Sequence, residues 1–435
     1  MWRLVLGDLI ESLRIWVGAA LVAAVAAVVG AVVVGDIQTA LAVGGTAGLA
    51  LYGISGTVIL FTAVSTVVVL GSITNLAVTL HQRSYALWQL VGLVPGQVRT
   101  VVQVQIALMA LLGGAAGSVI AVPLLKPLFA FCFADVPQLR GLTPVYSPAA
   151  AMSVIAYVLL TVLVGGARGA RRAGRTPAIQ ALRDPELPSR GMSATRWITC
   201  SALVLVLSSI VIGLPGTDPD KAATSLMLIG PLSAAFLSAL SPVFMARLLR
   251  AWTAVVPASL SSWWHLARQA AVHRATQSAA VINPLVLAMS LAGGLYASQG
   301  TASSGGTLSA GGVVLLLGGP VLLSLTGATV TLFMAGRQRN HEVALLLVSG
   351  GTSTTVVAAA VAEAVIYAVT ATVLAVPTVI ATGLIGAWAL RVPPSFGLGA
   401  VAVVAVTGLV LVLCSEVLSA HLALRRNVIR ALATE

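Results

Sequence analysis

Apolar residues run along this chain in long unbroken stretches, with short polar interruptions between them and no strand-like alternation. Ten such stretches can be drawn, at about 16–35, 52–80, 97–122, 148–166, 197–213, 224–246, 279–297, 312–336, 353–385 and 397–424. A bilayer core of roughly 30 Å takes about 20 helical residues, so each is long enough to cross one. The pattern predicts an all-α, polytopic integral membrane protein of about ten transmembrane helices. Ahead of the first stretch, residues 1–15 read as an amphipathic interfacial helix. Trp2, Val5, Leu6, Leu9, Leu13 and Trp16 share one face, and Asp8, Glu11, Ser12 and Arg14 the other. The first span runs about 20 residues without a small-residue cleavage site, so it does not read as a removable signal.

One polar interruption occurs twice. Residues 81–105 read HQRSYALWQLVGLVPGQVRTVVQVQ, and residues 340–363 read NHEVALLLVSGGTSTTVVAAAVAE. An offset of 258 puts Ser84 on Glu342, Leu87 on Leu345, Leu90 on Val348, Gly92 on Gly350 and Gln105 on Glu363. Each copy predicts a short amphipathic helix, a glycine turn and the start of a long apolar helix. A second recurrence, PAIQALR at 177–183 and NVIRALA at 427–433, is offset by 250. The missing eight residues fall in a shorter loop before the last span. Spans one to four and seven to ten then form two parallel four-helix repeats separated by two linking helices. The divisions are 1–15, 16–183, 184–260 and 261–435, the last led by its own amphipathic stretch at 261–276 with Trp263 and Trp264. An even number of crossings separates the repeats, which relates them by an axis along the membrane normal.

Composition removes the soluble alternatives. The chain is 58% hydrophobic and 8% charged, with a mean hydropathy of +1.03. The net charge of +12 is unevenly placed: of 24 Lys and Arg, only Lys126, Arg140, Lys221 and Arg391 fall on one side of the predicted topology. That is a positive-inside signal, not a nucleic-acid footprint, and it puts both termini in the cytoplasm with anionic lipid as a neighbour. Asp36, Asp135, Asp218 and Asp220 then fall in outer loops. The outer loop 298–311 is short and rich in Gly, Ser and Thr. The loop 123–148 holds five prolines and an apolar patch at 128–133 that either dips into the outer leaflet, covers the bundle or packs as an ordinary loop. Cys132, Cys200 and Cys414 lack metal-ligand spacing and read as unpaired thiols.

Little in the chain offers chemistry of its own. There is no GxxxxGK[ST] phosphate loop, no HExxH and no Cys/His cluster. His81, His265, His273, His341 and His421 all fall at the predicted inner interface. The chain is expected to bind no cofactor or metal and not to be an enzyme. Glu363 and Glu416 read as the only acidic residues within spans. Burial in lipid is costly enough that each is expected near the inner interface beside an arginine or hydroxyl. Gln105 keeps hydrogen bonding at the equivalent place without charge. The two interfacial helices carry more apolar surface, around Leu87, Trp88, Leu90 and Val91, than simple chain reversal requires.

The run at 342–352, EVALLLVSGGT, resembles the "E-x-A-L-L-R-A-x-G-A-T" run of FtsX-like permeases, the membrane subunits of MacB-type ABC transporters. Residues 85–99, YALWQLVGLVPGQVR, resemble the same run continued into "x-P-x-Q-V-R", and 177–183 resembles its "P-x-x-A-L-R" ending. The chain departs from the pattern at Ser84, where the family is acidic, and at Leu347, where it usually has Arg. It also has no room for the large extracytoplasmic domain of many relatives. The resemblance implies a permease that couples ATP hydrolysis in separate cytoplasmic ATPase subunits, two per chain, to outward handling of a lipophilic or amphipathic substrate. An antimicrobial peptide or antibiotic is the favoured class, across a bacterial cytoplasmic membrane, with ATP and Mg held by the partner. The implied coupling residues are Arg83, Tyr85, Leu87, Trp88, Leu90 and Gly92 in one copy and His341, Glu342, Leu345, Leu346 and Gly350 in the other. Two other classes remain open: a regulatory permease that signals without transport, and an ion-coupled secondary transporter.

Overall fold

The computed structural model describes residues 7, 13–134, 136, 139–175, 194–257, 261–302 and 309–424. The amphipathic stretch before residue 13, the arginine-rich segment 176–193 with its 177–183 run, the 427–433 run, Asp135 and Ser303 lie outside them. Within the described residues the chain is helical throughout: α1 (Leu13–Val43), α2 (Gly45–Leu80), α3 (Gln82–Leu90), α4 (Pro95–Cys132), α5 (Pro148–Arg175), α6 (Ala194–Gly213), α7 (Pro219–Thr253), α8 (Ser262–His273), α9 (Ala275–Ala302), α10 (Ala310–Val313), a π-turn (Val314–Gly318), α11 (Gly319–Val348), α12 (Ser353–Leu390) and α13 (Leu398–Leu424). Ten of the helical stretches are long and apolar enough to cross a membrane, the α10, π-turn and α11 stretch making one of them. This is an all-α, multi-pass architecture. Helices suit it because each closes its own backbone hydrogen bonds where water is absent.

At the centre stands α9, buried along nearly its whole length and packed on α7, α11, α12, α13 and α2. The first set of helices is built on α1, which packs on α2 and α4, with α5 against α4. The two sets meet where α11 crosses α1 and α2. Small residues allow the tightest of these approaches. A Cβ at Gly113 or Gly117 of α4 would stand 2.4 Å from the Ala20 carbonyl oxygen or 2.2 Å from that of Ala24 on α1. At the periphery, α6 packs chiefly on α7 and leaves Trp197, Ile198, Leu205 and Ile212 exposed, as a lipid-facing helix would.

Two expectations about the ends of spans are corrected. The chain does not leave the helix at residue 123: α4 continues through Pro123 and Pro127 to Cys132. The apolar patch at 128–133 is therefore not a loop over the bundle but the last turn of α4 and its close. Phe129, Cys132 and Phe133 are buried against Leu51, Val58 and Phe61. The segment that follows is tied to α1, with the Ser147 N–H donating to Gln38 Oε1 at 3.1 Å and the Val145 N–H to Thr39 Oγ1 at 3.0 Å. Asp36 is likewise not in a loop. It lies within α1, 1% exposed, so Glu363 and Glu416 are not the only acidic residues inside spans. The turn comes eight residues later at Gly44.

Candidate functional site: the α3 end of the bundle

One end of the bundle carries α3 and the close of α11. His81 ends α2 with its Nδ1 at 2.8 Å from the Ala77 carbonyl oxygen, and α3 begins at the next residue. Its ring stacks between Trp16 of α1 and Tyr85 of α3, at centroid distances of 5.2 and 5.9 Å, and Tyr85 meets Trp88 at 5.4 Å. This ladder fixes α3 against the start of the first span. Tyr85, expected among the coupling residues, is fully buried in this stack and faces the bundle. The surface α3 turns outward is formed by Leu87 (47% exposed), Leu90 (55%), and then Val91 and Val94, with Trp88 half-buried beneath it.

The second copy differs in how it is attached. No break separates it from its span; α11 runs on as one helix through Val348. Leu345 and Val348 are exposed to 50% and 66%, matching Leu87 and Leu90 at the 258 offset, and Leu346 is half-buried. The helices of Arg83, Arg337, Arg339, His341 and Glu342 are described, but their side chains are not among the described parts.

Both helices close with one hydrogen-bond pattern. The Leu93 N–H donates to the Trp88 carbonyl at 3.0 Å and the Gly92 N–H to that of Gln89 at 3.1 Å. The Gly351 and Gly350 N–H groups donate to Leu346 and Leu347 at 2.8 and 3.2 Å. Such a closure needs a left-handed residue, and Gly92 and Gly350 supply it at φ 106° and 93°. The following helices start at Pro95 and Ser353 and end at Cys132 and Leu390, all at the same offset. The loops 133–147 and 391–397 differ by eight residues, after which Pro148 and Leu398 open the next helices at an offset of 250.

Behind each helix lies a small cleft of about 20 Å³, room for one water molecule. Trp16, Ala19, Ala23, Ala77 and Met109 line the first; Arg274, Gln277, Val281, Ala335 and Tyr367, each 258 residues on, line the second. The first is apolar apart from Thr74. The second is charged: Arg274 lies 3.7 Å from Glu363, Tyr367 Oη donates to Glu363 Oε1 at 2.5 Å, and Glu416 reaches in from α13. Arg274, Glu363 and Glu416 are 8%, 4% and 2% exposed. Glu363 thus has both the arginine and the hydroxyl that its burial calls for. Gln105, its counterpart, is fully buried without needing a cation. Arg274 and Tyr367 were not singled out from the sequence. Their signal was available in the 258 offset carried back to the lead-in helix and forward one turn from Glu363.

No family model, no curated protein and no solved structure matches the chain.

Proposed function

We propose that this chain is the permease subunit of an ATP-driven transporter, worked by separate ATPase subunits that dock at the α3 end. The observation that carries the reading is a pair of exposed apolar patches, Leu87 with Leu90 and Leu345 with Val348, each immediately before a left-handed glycine closure. Exposed apolar groups at the end of a span, beside water, mark a contact surface more than a lipid face. Two patches imply two ATPase subunits per chain, on the cytoplasmic side by the distribution of Lys and Arg. Rigid attachment supports transmission of movement: α3 through the aromatic ladder to α1, and the second patch by continuity with α11. FtsX-like residues at 85–99 and 342–352 support the same assignment, with outward handling of an amphipathic compound such as an antimicrobial peptide.

The test is reconstitution with a candidate ATPase encoded beside the gene. Leu90→Asp and Val348→Asp should each lower the bound ATPase from two copies to one, and the double variant to none. Unchanged stoichiometry in the double variant would remove the proposal. A second reading, ion-coupled carriage, is favoured by the buried charges around Glu363 and Glu416. It predicts pH-gradient-driven transport by the chain alone, without nucleotide.

A further inference from the structure

At the α3 end of the bundle, the side formed by α6, α7 and α8 collects arginine and tryptophan where apolar surface stops. Val243, Arg247 and Arg250 follow at helical spacing along the outward face of α7, all three exposed. The start of α6 lies beside this end of α7, because the two consecutive helices pack on each other, and it brings exposed Trp197. The edge contact of Trp264 with Trp252, at 6.3 Å between ring centroids, joins α8 to the same place. On α8, Trp263 and His265 are exposed and Arg268 is half-buried. Apolar, then basic and aromatic, is the order of an outward face that leaves acyl chains and enters headgroups.

The protein does not balance the charge of these arginines. No Asp or Glu occurs from residue 221 to residue 341. The helices packed on α7 and α8 are α2, α6, α9 and α12, and the one acid among their described residues is Glu363, held by Arg274. Arg250 donates its Nε–H to the Ala246 carbonyl at 3.1 Å, which leaves its two Nη groups to a ligand. A guanidinium presents paired N–H groups that match a phosphate. We propose that this corner is a binding site for an anionic phospholipid. Its phosphate is held by Arg247, Arg250 and Arg268, and its acyl chains lie down the α7 face past Val243. The occupant is a lipid and not a soluble protein, because Arg247 and Arg250 continue a face that acyl chains cover at Val243.

The site stands apart from the permease reading, and its test needs no ATPase. The full chain is equilibrated in micelles holding phosphatidylglycerol and phosphatidylcholine in equal amounts, and the lipid retained by the folded chain is counted by native mass spectrometry. The wild type should retain phosphatidylglycerol in preference. A basic residue beside anionic lipid contributes on the order of fivefold, so the triple variant Arg247→Gln, Arg250→Gln, Arg268→Gln should lower the preference by about a hundredfold. Lysine at the same three positions should keep most of it, since the charge persists. Lys126→Gln with Arg140→Gln, at the other end of the bundle, should leave it unchanged. No preference in the wild type, an unchanged preference in the triple variant, or an equal fall in the Lys126 and Arg140 variant would each overturn the proposal. So would displacement of the bound lipid by glycerol phosphate added to the buffer, which would make this a site for a soluble phosphate. If the triple variant does not fold, the three single glutamine variants decide: a fall in at least two supports the site, and a fall in fewer overturns it.

Discussion

Glu363 and Gln105 occupy equivalent places but answer to opposite rules. Glu363 is buried with Arg274 at 3.7 Å and the Tyr367 hydroxyl at 2.5 Å, whereas the residue equivalent to Arg274 is Trp16. Removing one member of a buried ion pair leaves the other charge stranded, at a cost of about 3–5 kcal/mol. Glu363→Ala and Arg274→Ala should each lower stability on that scale, and the double variant should cost less than the two together. Tyr367→Phe loses one hydrogen bond to a charged acceptor, worth about 1.5–3 kcal/mol. In the first unit the sign reverses for a gain of charge: Gln105→Glu should destabilise, because no arginine faces it from position 16. Denaturant titration of the purified chain checks all five variants. A stable Gln105→Glu protein would show that the first cleft already provides a cation.

At the scale of an element, the two glycine closures decide where the exposed helices end and at what angle the next span begins. Nothing lies within 4 Å of a Cβ built at Gly92 or Gly350, so crowding does not forbid a side chain there; the backbone does. A β-branched residue held at φ near 100° costs about 1–3 kcal/mol. On the proposed permease reading, Gly92→Val and Gly350→Val should therefore insert normally yet lose coupling of ATP hydrolysis to transport, read by substrate-stimulated ATPase activity. Gly96 is the control. It stands in the first turn of α4, also with open space and no left-handed φ, so Gly96→Ala should be neutral or stabilise by up to about 1 kcal/mol. Equal losses at 92 and 96 would show that the turn conformation is not the cause. The helices differ in attachment, since the second is continuous with α11. Trp88→Ala should accordingly disturb α3 by weakening the aromatic ladder, with no equivalent effect at Leu346.

For the whole molecule, six spans separate the end of α3 from the end of α11, so both patches must emerge on one side. Single cysteines at Val91 and Val348, in a background lacking Cys132, Cys200 and Cys414, should label from the same side of a sealed vesicle. One at Gly216, in the turn between α6 and α7, should label only from the other. Labelling of 91 and 348 from opposite sides would break the ten-span arrangement. By itself the sequence determined the number of spans, because crossing a bilayer imposes a length of apolar residues that no packing detail alters. It also determined where Gly92 and Gly350 turn the chain, since left-handed backbone favours one residue type strongly enough to be read locally. Tertiary structure decided what periodicity does not encode. It buried Tyr85 in a stack with His81 and Trp16, drew α4 on to Cys132 against Phe61, and took Asp36 out of an expected loop into the interior. It brought Arg274 to Glu363 across 89 positions of sequence. Hydrophobicity says which segments enter the membrane, but lipid and protein interior are equally apolar, so which face of each segment meets which neighbour is settled only by side-chain fit and the pairing of buried polar groups.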